Sequence, residues 1–172
     1  SLGIPARTDA VTVDDARVRA HAVMELLGVD DLAARDIMTL STGQARRVLI
    51  ARALVHDPDA LIFDEPCTGL DPEGMYYVRS SMRTLAQAGK SIVLVTHYPE
   101  DIIPEIERVV LLKNGRLHAD GTKESLMNDQ VMSGLFEVSL HVQRTVAPSS
   151  AVRAGGKFDG AREEKYFSLV SA

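Results

Sequence analysis

Two adjacent carboxylic acids, Asp64 and Glu65, stand directly after the apolar run at residues 60–63. A short apolar run bounded by acidic residues and prolines is typical of a strand that is buried on both faces. Such a strand would deliver both carboxylates to a sheet edge, where one can hold a magnesium ion and the other can polarise a water molecule. Solvated acids are also common in turns at strand ends, so the residues alone leave both interpretations open.

The segment that contains Ser41, Gly43 and Gln44 is a second candidate for chemistry. A serine followed three residues later by a glutamine is the pattern of a capping box, which predicts a helix start. The N–H groups and the positive dipole end of a helix start suit an anion such as phosphate, and a glycine allows a close approach. On these residues alone, however, simple helix capping is the better explanation.

His97 follows a second apolar run, at residues 91–96. Ligands of open α/β sheets bind outside the carboxyl ends of the strands, which is where His97 would join Asp64 and Glu65. A neutral imidazole can contact a phosphate oxygen or an attacking water. A single histidine at a strand end is nevertheless more often an ordinary hydrogen-bonded residue.

The elements that would position these residues alternate between helix and strand. Helical patterns run from a Thr12 cap to Gly28, from the Ser41 cap onward, and from an Asp71 cap to Gly89. Strands are predicted at 60–63 and 91–96, a short helix at 99–106, a hairpin at 108–113 and 116–119 with its turn at Asn114-Gly115, and a weak helix at 122–136. This alternation predicts an α/β domain with a mostly parallel sheet and flanking helices.

Composition narrows the class of protein. The 172 residues, 45% of them apolar, form one domain or part of one. The net charge of −5 argues against bulk electrostatic binding of nucleic acid, and we interpret Arg46-Arg47 as helix surface. The single cysteine, Cys67, excludes an internal disulfide and a multi-cysteine metal site. No apolar run has the length of a membrane-spanning helix.

The order of these motifs resembles the C-terminal half of an ATP-binding cassette (ABC) ATPase domain. Residues 40–44 (LSTGQ) are similar to the signature motif, usually LSGGQ, and residues 61–65 to the Walker B strand with its adjoining glutamate. Residues 69–71 (GLD) are similar to the D-loop, and His97 to the switch histidine. The resemblance covers about residues 12–140 and implies a P-loop NTPase-like core with part of an α-helical subdomain.

The resemblance also implies a role for each of the site residues. Ser41, Gly43 and Gln44 would face the γ-phosphate of an ATP molecule held by a second ABC domain. Asp71 would couple the two ATP sites across the dimer. These residues would therefore act on a nucleotide that the partner binds.

For the nucleotide-hydrolysing site itself, the resemblance implies three further roles. Asp64 would orient Mg²⁺, mostly through water, and Glu65 would be the general base for the attacking water. His97 would contact the γ-phosphate and sense its loss. Such groups supply the positioning and charge stabilisation that phosphoryl transfer requires.

The sequence departs from the family pattern in two ways. Thr42 replaces a glycine of the signature, which is a minor change, but no Gly-x-x-x-x-Gly-Lys-[Ser/Thr] motif occurs in the 172 residues. Walker A and the glutamine loop are thus absent, and we expect the chain on its own to be inactive. We expect residues 1–40 to be a remnant of the helical subdomain, 41–140 the C-terminal half of the ATPase core, and 141–172 an extended or poorly ordered tail.

The function implied is that of an ATP-hydrolysing domain that powers a partner, most commonly an ABC transporter. Its partners would be a second ABC domain and membrane-spanning subunits, and no nucleic acid is expected. The protein would be cytoplasmic, with a peripheral association at the cytoplasmic face of the membrane as one form of this location. Two alternatives stay open at this point. One is a soluble ABC ATPase outside transport, and the other is a non-enzymatic truncated module that regulates or complements another cassette.

Overall fold

The computed structural model describes residues 13–148 and 163–171, which form two compact units. The first unit ends at Thr96 and the second begins at His97. This division falls inside the segment 41–140 that the sequence analysis assigned to the ATPase core. The assignment of residues 1–40, 41–140 and 141–172 to parts of a cassette therefore stays a prediction.

The described residues of the first unit form three helices and a pair of parallel strands. These elements are α1 (Val13–Leu26), α2 (Thr42–Leu54), β1 (Ala60–Asp64), α3 (Pro72–Gln87) and β2 (Ser91–Val95), with 3₁₀ turns at Asp30–Leu32 and Ile37–Thr39. Each of the three helices and two strands matches an element that the sequence predicted, whereas the 3₁₀ turns were not predicted. Thr12, the proposed cap of α1, lies outside the described residues. Gly28 follows α1 with φ of +60°, as expected of a glycine at a helix end.

Strands β1 and β2 pair in parallel, in register from Ala60 opposite Ser91 to Asp64 opposite Val95. Their burial differs from the prediction, because β1 buries Leu61 and Phe63 but leaves 75% of the Ile62 side chain exposed. The sequence of each strand is apolar on both faces. In β1, the described residues bury the face with Leu61 and Phe63 and leave the face with Ile62 exposed. The expectation of two strands buried on both faces is therefore wrong for this part of the chain.

Each of the three helices contributes buried residues to the core of the first unit. Val23 of α1, Leu54 of α2 and Val78, Met82 and Leu85 of α3 are fully buried. The three α3 residues recur at the spacing of a single helix face. Helix α2, which begins after the Ser41 cap, contacts both α1 and α3.

The second unit begins with a 3₁₀ turn at Pro99–Asp101, followed by the antiparallel pair β3 (Arg108–Lys113) and β4 (Arg116–Thr122). Asn114 and Gly115 form the predicted turn, and both have positive φ, as a type I′ turn requires. Helices α4 (Lys123–Leu126) and α5 (Asp129–Phe136) then occupy the segment predicted as weakly helical. The helix predicted over 99–106 is too long, because Pro104 disfavours a helical conformation at the residue before it.

The chain continues with a second antiparallel pair, β5 (Leu140–Pro148) and β6 (Glu163–Ser171). The sequence analysis gave residues 141–172 as an extended or poorly ordered tail and predicted no strands there. The described residues are extended and fully paired, and residues 149–162 lie outside the described part. Phe167 of β6 is buried with Met127 and Met132, which explains why these strands form without a strong local signal.

Asp129, the first residue of α5, links this helix to β5 by hydrogen bonds. Its carboxylate accepts a hydrogen bond from the Val142 amide at 2.8 Å and lies 2.8 Å from Nδ1 of His141. The Val142 amide, followed by the His141 side chain, lowers the pKa of Asp129. A carboxyl group with a lowered pKa in the folded state stabilises that state above its unfolded pKa, and the stabilisation is lost as the pH falls through the lowered value.

We therefore expect the Val142 amide to lose protection from hydrogen exchange as the pH is lowered below about 4, the ordinary range of aspartate. Protection factors, which correct for the intrinsic pH dependence of exchange, give the measurement. Asp129→Ala should remove this protection already at neutral pH, because no acceptor remains for the amide. Equal protection of Val142 in the variant and the wild type at neutral pH would contradict the hydrogen bond from the Val142 amide to Asp129.

Candidate functional site

The start of α2 has the geometry that its sequence predicted. The Ser41 hydroxyl accepts a hydrogen bond from the Gln44 amide at 3.2 Å, and Oε1 of Gln44 accepts one from the Ser41 amide at 3.0 Å. This reciprocal capping box satisfies two backbone donors at the helix start. The amides of Thr42 and Gly43 have no acceptor within the helix, and the positive end of the helix dipole adds to them. The geometry is compatible with an anion at this end.

The start of α3 is capped by Asp71. Its Oδ1 accepts a hydrogen bond from the Gly74 amide at 2.7 Å, and Pro72 occupies the first helical position. The Asp71 cap was predicted from the sequence, and a proline at the first helical position is favourable because its missing N–H needs no partner there. The structure therefore gives the Asp71 carboxylate a role within its own helix, and its proposed role across a dimer stays a prediction.

Two glycines bring these helix starts into contact. A Cβ atom placed on Gly43 would lie 3.1 Å from Cα of Gly74, and one placed on Gly74 would lie 2.9 Å from Oδ1 of Asp71. Neither position has room for a side chain without a shift of backbone or of the Asp71 cap. The contact places the Ser41–Gln44 segment beside Asp71. Gly74 was missed by the sequence analysis, although a glycine in the first turn of a helix is a signal of close packing.

Arg47 of α2 contacts both α3 and the residues that directly follow α1. One of its terminal nitrogens donates to the carbonyl oxygens of Leu27, at 2.8 Å, and Gly28, at 2.5 Å, and its guanidinium lies 4.2 Å from the centre of the Tyr77 ring. These contacts tie the end of α1 and the flank of α3 to the helix that begins at Ser41. The interpretation of Arg47 as helix surface is therefore wrong, because its carbonyl and aromatic partners are distant in sequence.

Asp64 and Glu65 lie at the carboxyl end of β1, as predicted. Asp64 is paired with Val95 and its side chain is exposed. Glu65 has φ of +45°, and its amide donates to the Val95 carbonyl at 2.9 Å. A left-handed conformation at a residue other than glycine costs free energy and is frequent at functional sites. The edge of β1 and β2 therefore holds the Glu65 backbone in an uncommon conformation.

His97 follows β2 and belongs to the second compact unit. Its ring centre lies 3.9 Å from that of Tyr98, with the two planes inclined by 41°. Its predicted contact with a γ-phosphate stays a prediction.

Asp64 suits a magnesium site that is shared with a nucleotide. Within residues 13–148 and 163–171, no three histidine, cysteine, aspartate or glutamate side chains gather as a metal site. Mg²⁺ usually takes only one or two carboxylates and completes its shell with water and substrate phosphates. A single exposed carboxylate at a strand end, such as Asp64, fits that kind of binding.

Comparison with known proteins shows which family this chain resembles. A family model described as ABC transporter matches residues 5–68. The chain is 38% identical over 130 residues to the uncharacterized ABC transporter ATP-binding protein YlmA of Bacillus subtilis (strain 168), an alignment that covers 74% of the chain and 49% of the relative. It is 33% identical over 137 residues to the Nod factor export ATP-binding protein I of Ralstonia nicotianae, with 80% and 40% covered.

Solved structures of the same kind match as well. An inward-facing putative metal-chelate type ABC transporter superimposes with a TM-score of 0.73 at 23% identity, over 94% of this chain and 59% of that one. A dimeric bacterial ABC transporter cassette gives 0.57 at 28% identity, over 67% and 50%. Because the metal-chelate type transporter is only 23% identical to this chain, its similarity shows the fold alone.

The fold is that of part of a P-loop NTPase cassette, and its predicted motifs lie at helix starts and at a strand end, as nucleotide sites of α/β proteins do. The chain belongs to the ABC ATPase family and is part of its ATP-binding domain. It spans about half the length of the curated relatives that it matches. No helix in the described part of the chain is long and apolar enough to cross a membrane.

Proposed function

We propose that this chain supplies the signature-to-switch part of an ATP-hydrolysing domain that powers an ABC transporter. The observation that carries the proposal is the arrangement in the first unit, where a capped helix start touches the Asp71-capped helix and Glu65 occupies a constrained strand end. Relatives whose names describe ABC transporter ATP-binding and export proteins support the link to transport.

In the proposed reaction, the oxygen of a water molecule forms a bond to the γ-phosphorus of ATP. The bond from that phosphorus to the β,γ-bridging oxygen breaks, and its electron pair leaves with ADP. The Glu65 carboxylate accepts the proton that the water loses. Asp64 would hold Mg²⁺, mostly through water, and the bound ion would offset phosphate charge. His97 would contact the γ-phosphate and respond when it leaves.

The start of α2 would act on ATP bound by a second cassette. The Ser41 hydroxyl, the first amides of α2 and the helix dipole together suit the γ-phosphate charge. Gly43 and Gln44 belong to the same helix start as Ser41. The contact between Gly43 and Gly74 would couple the position of this helix start to that of Asp71. A solved relative described as a dimeric ABC cassette supports pairing of two such domains. Membrane-spanning subunits at the cytoplasmic face would be the further partners.

Two substitutions of Ser41 test this use of the helix start. Asparagine and aspartate both cap helices well, but only aspartate brings a negative charge to the place where the γ-phosphate would bind. We expect Ser41→Asp in the full-length protein to lower steady-state ATP hydrolysis roughly 10- to 100-fold below Ser41→Asn, because like charges repel at close range. Both variants should melt at the same temperature. Equal hydrolysis rates of the two variants would contradict an anion at this end of α2.

A further inference from the structure

The backbone of Glu65 is fixed from two directions. Its amide donates to the Val95 carbonyl on β2 at 2.9 Å, and its own carbonyl accepts from the Thr68 amide at 3.3 Å. The second bond closes a tight turn directly after β1. The side chain of a glutamate nevertheless keeps several rotatable bonds, so a fixed backbone does not by itself orient the carboxylate.

The same turn brings the Thr68 side chain onto the Glu65 carboxylate. The Thr68 hydroxyl donates a hydrogen bond to Oε2 of Glu65 at 3.1 Å. Threonine is suited to this contact, because its branched Cβ restricts the side chain to few rotamers and its hydroxyl is carried on a stiff stem. The hydrogen bond therefore restricts the carboxylate at the end of a flexible side chain.

We propose that Thr68 is a positioning residue for the general base, holding the Glu65 carboxylate in the orientation that meets the attacking water. The proposal rests on the proposed function, in which Glu65 accepts the proton of that water. Thr68 acts through Glu65, with its hydroxyl bonded to Oε2. Its effect should therefore fall on the chemical step and spare ATP binding, since a small misplacement of a catalytic group slows the reaction strongly.

Two substitutions in the full-length protein separate positioning from a structural role. Thr68→Val keeps the branched shape but lacks the hydroxyl, whereas Thr68→Ser keeps the hydroxyl. We expect Thr68→Val to lower kcat for ATP hydrolysis about tenfold with an unchanged KM, and Thr68→Ser to retain most of the wild-type kcat. In a Glu65→Gln background, Thr68→Val should slow hydrolysis no further, because no base is left to position.

The outcomes distinguish this proposal from the one on which it rests. Wild-type kcat in Thr68→Val, together with a large loss in Glu65→Gln, would overturn the role of Thr68 and keep Glu65 as the base. A raised KM, a lowered melting temperature in Thr68→Val, or a failure of serine to restore kcat would show a structural role and also overturn it. Wild-type hydrolysis by Glu65→Gln would remove the base itself, and the positioning role would fall with it.

Discussion

Replacing Glu65 with glutamine is expected to lower ATP hydrolysis by the full-length protein roughly 10²–10⁴-fold, the usual scale for the loss of a general base. Glutamine keeps the shape of the side chain, and its amide oxygen can still accept the hydrogen bond of Thr68. It cannot take the proton of the attacking water. ATP binding should therefore stay nearly intact while the chemical step slows.

Steady-state hydrolysis and ATP titration of the same preparation provide the measurement. Glu73→Gln is a matched control, because Glu73 is an exposed acid in the first turn of α3 and the substitution changes the charge by the same amount. This control should hydrolyse ATP at the wild-type rate. Wild-type hydrolysis by Glu65→Gln would show that the base has been assigned to the wrong residue.

Asp64→Asn is expected to behave differently from Glu65→Gln. Because Asp64 would orient Mg²⁺ mostly through water, loss of its charge should weaken Mg²⁺-dependent ATP binding about 10- to 100-fold, the range found when outer-shell metal partners are replaced. Hydrolysis should fall as well. Replacing Asp64 would thus reduce both ATP binding and turnover, whereas replacing Glu65 would reduce turnover alone.

Titration of ATP with and without Mg²⁺ tests this separation. Wild type and Asp64→Asn should bind ATP equally when Mg²⁺ is removed, since the substitution then affects no bound ion. Asp59→Asn is a matched control, because Asp59 also flanks β1 but precedes its first residue, at the opposite end of the strand. An unchanged Mg²⁺-dependent affinity in Asp64→Asn would contradict the metal role.

Helix starts were the most predictable part of the fold, because capping is a local interaction. Ser41 and Gln44 satisfy each other's backbone amides, and Asp71 accepts from the Gly74 amide three residues later, so their spacing in the sequence is sufficient. The turn at Asn114-Gly115 was predictable for the same reason, since only residues that tolerate positive φ fit it well.

Contacts between distant segments were not predictable from spacing. Nothing near Arg47 in the sequence indicates that its partners are the Leu27 carbonyl and the Tyr77 ring. The pairing of β5 with β6 depends on burial of Phe167 against residues of another segment. The exposed face of β1 was missed because an apolar run predicts a partner surface without showing which residues supply it.

In the candidate site too, local features were predictable from the sequence and contacts between residues were not. The position of Glu65 after a strand follows from the sequence, whereas its left-handed backbone and its hydrogen bond from Thr68 require the structure. Gly43 was interpreted as allowing a close approach, and the structure identifies the backbone of Gly74 as one neighbour that makes it. Local patterns therefore indicate candidate residues, and the structure shows which residues contact them.

The central claim is that the α2 start of one cassette binds ATP held by another, and sedimentation of full-length Glu65→Gln tests it most directly. Because this variant retains ATP, it should sediment as a dimer with Mg²⁺ and ATP and as a monomer with ADP. Adding Ser41→Asp should abolish the dimer, whereas adding Ser41→Asn should leave it intact. A monomer with ATP, or a dimer that is indifferent to the charge at Ser41, would contradict the account.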